Sequence, residues 1–393
     1  MGVFAVRWTR LGWRSAVATL ALCLVPAASV GAAQTTALAV RVATPARAVH
    51  GSDGREHVEY DLVITNAFTA SVGLDSIRVL SGRKLLLALN GTALAEHTFA
   101  LGVAMPTATI PVSSSVKALV DVVLPRSFGR RVPRRLTERI RYTVPRDAPG
   151  RVIVGSTVVR GPTVRIDAQA PIRIASPLYG SGWIDGNGCC GDPTSEHRSL
   201  LLPADGSYRT QELFAIDWIR EIGGSFFKGE GTKLTDYVCY GAPIHAVANG
   251  IVVAAVNNRP EVPPNATTAE NPTVQGPPDF GGDRVVERIA PGEYAAYLHM
   301  QTGSVRVRVG QRLRTGQVIG LLGNSGNTTA PHLHFGIQDR PDVFASNSLP
   351  FEIGSFTVQG TGGAGPRPGT ITITGKPHRA ILSEPLVRAV YRF

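Results

Sequence analysis

The sequence predicts a mainly β protein, with an N-terminal β-sandwich followed by a compact antiparallel β-sheet domain. Three observations carry this. Gly (43) and Pro (28) make up about a fifth of the 393 residues, against roughly 12% in average usage, and both break helices. Apolar and polar residues alternate over short runs bounded by turn residues, the period of half-buried strands. Hydrophobic residues account for 43% and charged ones for only 18%, which excludes wholesale disorder. At about 100–200 residues per domain, the length accommodates two or three domains.

Residues 1–33 read as a secretory signal. Arg7, Arg10 and Arg14 form a positive start, Ala16 to Val30 is apolar, and Gly31-Ala32-Ala33 supplies small residues for cleavage. Cys23 follows Leu22, a poor residue before a lipidated cysteine. No other run reaches the roughly 18–20 apolar residues of a spanning helix, so an extracytoplasmic chain without a transmembrane segment is expected after cleavage. The formal charge of +11 would fall to +8 with the three arginines gone. Only five cations are Lys, and nine of the arginines lie between Arg126 and Arg151 beside just two acids, Glu138 and Asp147. Either a solvated face or attraction to an anionic cell-surface polymer accounts for that cluster. No nucleic-acid fold signature accompanies it, and export argues against that partner.

Residues 34–172 are expected to form an immunoglobulin-like sandwich. In Glu56–Thr65 the even positions Val58, Tyr60, Leu62 and Ile64 are apolar, while His57, Glu59 and Asp61 are polar, so one face should be buried. Further strands are expected at Ser76–Leu80, Lys117–Leu124, Glu138–Val144 and Arg151–Arg160. His50, His57 and His97 are expected at the surface. A linker is expected over 173–188, a second domain over 189–358, and a Gly/Pro-rich tail with closing strands over 359–393. The Pro/Asn-rich loop Asn257–Gly282 should wall a binding site or be disordered. Three cysteines follow the signal. Cys239 is expected to pair with Cys189 or Cys190; a vicinal bridge and a zinc-thiolate site are the alternatives.

The chemistry concentrates near Pro331-His332-Leu333-His334-Phe335. On a strand, His332 and His334 share one face. His299 lies in the strand-like Glu293–Met300, expected on the same face as Tyr297. The glycine-rich Gly323-Asn324-Ser325-Gly326-Asn327-Thr328-Thr329-Ala330 leads into the two histidines. Upstream, Asp217 ends an apolar run, Phe214-Ala215-Ile216. His245 in GAPIHAVANG is expected to be structural.

Together, YLHM, VRVGQ and TGQVIGLLGNSGNTTAPHLHF resemble, in order, the lysostaphin/LytM-type zinc endopeptidases of peptidoglycan, over about Leu213 to Gly336. The resemblance implies a compact antiparallel sheet and a Zn2+ ion bound by Asp217 and His334. It makes His332 and His299 the catalytic histidines, and cell-wall stem or cross-bridge peptides the substrate. The family's first ligand, four residues before Asp217, is replaced by Leu213. We expect His197 to supply the missing imidazole. If Asp205-Gly206 centres a hairpin of strands His197–Leu202 and Gln211–Trp218, His197 falls opposite Phe214. Gln211 is the weaker substitute. A ligand-depleted, non-catalytic regulator of other wall hydrolases is the alternative reading, favoured by Leu213 and opposed by the retained Asp217, His299, His332 and His334.

Overall fold

β-Branched and aromatic residues in alternating runs pair into sheets that are antiparallel apart from the parallel pairing of Ile172–Ile174 with Phe351–Ala364. The computed structural model describes residues 2, 34–102, 105–266 and 274–393. The expected signal, apart from residue 2, and residues 267–273 of the long loop lie outside them. Thr35–Phe393 forms one unit containing both halves of the chain, and among the described residues no helix is long and apolar enough to cross a membrane.

In the N-terminal half, one sheet orders Leu38–Val42, Glu56–Asn66, Ser115–Val123 and Thr98–Ala100, with Arg47–His50 also on Glu56–Asn66. A second orders Val158–Arg160, Arg135–Thr143, Val72–Ser81 and Lys84–Asn90, flanked by two short strands. The two share one core, in which Tyr60, Leu62 and Ile64 meet Ile77, Val79 and Ile140. Tyr60 donates to the buried Glu138 carboxylate at 2.7 Å.

The expected solvent face of Glu56–Thr65 is not exposed. His57, Glu59 and Asp61 are buried as well, because the C-terminal half packs over them. On one side Val49 joins Cys189, Cys190, Leu213 and Phe214 in a small apolar cluster. His57, expected at the surface, instead sits between Asp121 (Nδ1–Oδ1 3.2 Å) and Asp53 (Nε2–Oδ2 3.4 Å). Burial opposes its charge, but those two carboxylates raise its pKa to about 10.

The C-terminal half is built on a twelve-stranded sheet. Its main path runs Ile172–Ile174, Phe351–Ala364, Ala389–Arg392, Ser181–Asp185, Ile216–Arg220, Leu333–Gln338, Glu293–Met300, Asp283–Ala290 and Ile251–Val256. The 173–188 stretch, expected as a linker, therefore places Ser181–Asp185 in the interior of this sheet, and the tail strands extend it. Trp183, Trp218, Tyr297, Phe335 and Phe351 fill its core. The cysteine expectation is corrected. Cys189 and Cys190 bridge each other, and Cys239 is a buried free thiol whose Sγ donates to the Pro331 carbonyl; burial pushes it up to about 12.

Candidate metal centre

Two adjacent strands set the centre. Ile216–Arg220 pairs antiparallel with Leu333–Gln338 so that Asp217 lies directly opposite His334. Directly opposed residues share a face, and His334 Nδ1 stands 3.0 Å from Asp217 Oδ1. The intervening Leu333 and the following Phe335 point into the core, fully buried. The alternation that makes the strand amphipathic therefore also aims His334.

His299 reaches the same cleft by breaking the alternation. Its strand carries one extra residue between the pairs Val285↔Tyr297 and Asp283↔Met300, a bulge of the kind that re-aims side chains. His299 itself adopts φ +60°. Tyr297 turns inward against Phe335, with ring centroids 5.3 Å apart, whereas the His299 ring lies 4.8 Å from His332 and 6.0 Å from His334. The shared face expected for His299 and Tyr297 is thus corrected. The loop behind these rings is held by close backbone approach. Gly282 and Gly326 both have positive φ, and a Cβ on either would strike backbone of the other's loop.

His197 is brought to Asp217, though not on a strand. The expected register is right in the hairpin itself, where Leu202 pairs Arg209 and Ala204 pairs Ser207. The ladder stops at Leu202, and His197 sits on the helical turn Glu196–Ser199. From there Nε2 lies 3.2 Å from Asp217 Oδ2, and the ring is 4.9 Å from that of His334. Leu213 points instead into the apolar cluster of Val49 and the two bridged cysteines. Gln211 is buried, its carbonyl accepting from Gln338 Nε2; its amide makes no hydrogen bond among the described residues.

Hydrogen bonds decide which nitrogens are available. A carbonyl can only accept, so the nitrogen facing it carries the hydrogen and the other is bare in a neutral ring. Nδ1 of His197 donates to Ala215 O (3.0 Å), of His299 to Ser325 O (2.8 Å) and of His332 to Ala330 O (2.8 Å). With Nδ1 committed, each of these rings meets the cleft through Nε2; that of His332 lies 3.4 Å from Asp217 Oδ1. Asn187, which the sequence reading missed, donates Nδ2 to Asp217 Oδ2 at 2.9 Å. It stands in a Gly/Asn stretch with no motif to mark it.

The donor set fits a zinc ion. One ligand atom from each of His197, Asp217 and His334 lies within 4.8 Å of the others. Bonds of about 2.0–2.2 Å in a tetrahedral shell place ligand atoms roughly 3.4 Å apart, close to the 3.0 Å from Asp217 to His334 and the 3.2 Å from Asp217 to His197. Three protein ligands from imidazole and carboxylate are the composition of hydrolytic zinc sites. Burial would raise the Asp217 pKa, yet His197 and His332 hold it well below the usual carboxylate range, so the acid is charged as a ligand must be. Burial opposes charge on His197, but Asp217 and Glu212 raise it to about 10, so an ion binding there would displace a proton from its Nε2. Burial, reinforced by His332 and His334, keeps His299 well below its ordinary value and hence neutral. His245 lies apart, edge-on to Tyr179.

A model of Peptidase family M23 matches residues 230–345, a span that includes His299, His332 and His334 and begins after His197 and Asp217. Peptidoglycan DD-endopeptidase ShyC of Vibrio cholerae is 33% identical over 102 residues, 26% of this chain and 18% of its own length. Lysostaphin of Staphylococcus simulans is 28% identical over 134 residues, 34% of this chain and 22% of its own. The solved catalytic domain of lysostaphin from Staphylococcus simulans superposes with a TM-score of 0.23 at 19% identity, covering 43% of this chain and 88% of that one. The chain thus spans about a fifth of the length of these two curated relatives. With the ordered run from His299 to His334 inside the matched span, the C-terminal region of this chain belongs to peptidase family M23, the lysostaphin/LytM type.

Proposed function

We propose that the protein is an exported, zinc-dependent endopeptidase that hydrolyses peptide bonds of bacterial cell-wall peptidoglycan. The observation that carries this is the convergence of His197, Asp217 and His334, with the rings of His299 and His332 beside them, 4.8 Å apart. The relative ShyC, named a peptidoglycan DD-endopeptidase, supports the substrate class. His197, Asp217 and His334 would hold the ion, which when bound supplies Lewis acidity toward a carbonyl and lowers the pKa of water toward about 7.

The remaining steps belong to the chain. His332, oriented by Ala330 O, takes the proton of the attacking water on Nε2 as that water adds to the scissile carbonyl. The same proton then passes to the departing amine as the C–N bond breaks. His299 is held neutral, and with its Nδ1 hydrogen committed to Ser325 O its Nε2 can only accept, so it orients the attacking water by accepting from the hydrogen that water does not give to His332. The loop around 257–282 and the Ser325–Ala330 turn would wall the groove. For the N-terminal half we retain the immunoglobulin-like sandwich reading, supported by two sheets around one core. An anionic surface polymer would meet the exposed Arg135, Arg139 and Arg141; Arg130 is engaged internally with Glu352 (3.0 Å).

Purified peptidoglycan incubated with the full chain tests this. We expect release of peptide termini by the wild type and loss of release in His334→Ala. Equal release by the variant would refute the assignment. The non-catalytic reading keeps one supporting observation, Leu213 at the family's ligand position. It predicts no release by either protein.

A further inference from the structure

We propose that the N-terminal sheet is a positioning element of the metal centre: Glu59, Asp61 and Lys117 hold the helical turn that presents His197. This rests on the reading of His197 as a ligand. The need for such a support is local. A four-residue turn cannot sustain itself, since isolated helices shorter than about 12–15 residues are marginal in water. It follows Gly186, Gly188, Gly191 and Pro193, a segment with little regular structure.

From the centre's side, the turn is held by His197 itself on Ala215 O and by Ser195 Oγ donating to Asn187 O at 2.6 Å. Arg388 ties the segment before the turn through Asp192 (2.7 Å) and Thr194 (3.0 Å), while the turn itself is held from the opposite side by the N-terminal sheet. Neighbouring side chains on a helical turn point about 100° apart, so while His197 enters the centre, Arg198 enters the sheet. Its guanidinium pairs with Glu59 (Nη2–Oε2 2.8 Å) and Asp61 (3.6 Å). Lys117 Nζ donates to the carbonyls of Arg198 (2.5 Å) and Leu200 (2.8 Å), and pairs with Asp61 at 3.3 Å. These four side chains are 0–3% exposed.

Buried charges add little net stability over well-packed apolar residues, but they specify geometry. Here the specified geometry ends one residue from a zinc ligand. In a metal site, outer partners that orient a ligand typically change affinity by 10–100-fold when removed. The N-terminal half thereby takes the place of the strand that would have carried a histidine at Leu213.

The test uses the full chain and zinc itself, with affinity read by competition against a chromophoric chelator and folding by near-UV circular dichroism. In Arg198→Met combined with Glu59→Gln, zinc affinity should fall at least tenfold in folded protein. Arg198→Lys should recover most of it. Lys117→Met, which removes the donors to the two carbonyls and serves should the double variant unfold, should weaken zinc several-fold. Wild-type affinity in either folded variant would overturn the proposal. His197→Ala separates the two claims. If it binds zinc as the wild type does, the ligand reading fails; if it loses zinc while the Arg198 and Lys117 variants do not, only the positioning role fails.

Discussion

Among the described residues, two largely buried clusters contain the residue types that hold metals, and they behave differently. In the N-terminal sheet His57 and Glu59 lie beside Cys190; in the C-terminal sheet His197 and His334 flank Asp217. The first cluster is spent. Both His57 nitrogens face carboxylates, Glu59 pairs with Arg198, and Cys190 is bridged to Cys189. In the second, the imidazole of His197 is anchored through Nδ1 to a carbonyl, which leaves Nε2 facing Asp217. What distinguishes a structural cluster from a candidate centre is whether its donor atoms face one another, as His197 and His334 face Asp217, or are tied to groups outside the cluster. Both are largely buried and both combine imidazole with a carboxylate.

Four results would break or sharpen that contrast. The largest effect is expected for Asp217→Asn, which removes the carboxylate shared by three histidines. Turnover of peptidoglycan should fall by at least about a hundredfold while the fold persists. Next, His57→Phe should cost about 3–5 kcal/mol in denaturant unfolding, because Asp121 loses its buried partner. Zinc affinity of the folded protein should be unchanged.

Leu213→His restores the family's residue in an apolar cluster. It should destabilise by about 1–3 kcal/mol and fail to restore zinc binding to His197→Ala. Recovery of binding there would show that position 213 can reach the centre. The last result concerns pH, where the effect builds gradually. His57 carries a folded pKa of about 10 against about 6.5 unfolded. Its pairing with Asp53 and Asp121, near Glu59, is therefore fully stabilising below pH 6.5 and is lost as pH rises through 10. Between pH 6.5 and 10 the wild type should lose up to about 4 kcal/mol more than His57→Phe does. Parallel curves would contradict the pairing.

Much of the centre was legible because strand alternation is a local rule. The spacing of His332 and His334 and the apolar run before Asp217 needed no tertiary knowledge. The expected hairpin register also held where the ladder exists, with Leu202 opposite Arg209. What escaped were features fixed by non-local packing. His197 reaches Asp217 from a helical turn because Arg198 and Lys117 tie that turn to a distant sheet. His57, Glu59 and Asp61 read as a solvent face because nothing in residues 56–65 reveals what covers them. His299 depends on a bulge set by its pairing with Asp283–Ala290. The cysteine pairing followed proximity in the chain, with Cys239 drawn instead to Pro331 O.

The central claim is that His197 replaces the missing histidine in a three-ligand zinc site. Metal analysis of the purified full chain tests it most directly. The account predicts one zinc per wild-type chain, and its loss in His197→Ala as in His334→Ala. A zinc-free wild type, or full zinc in His197→Ala, would contradict it.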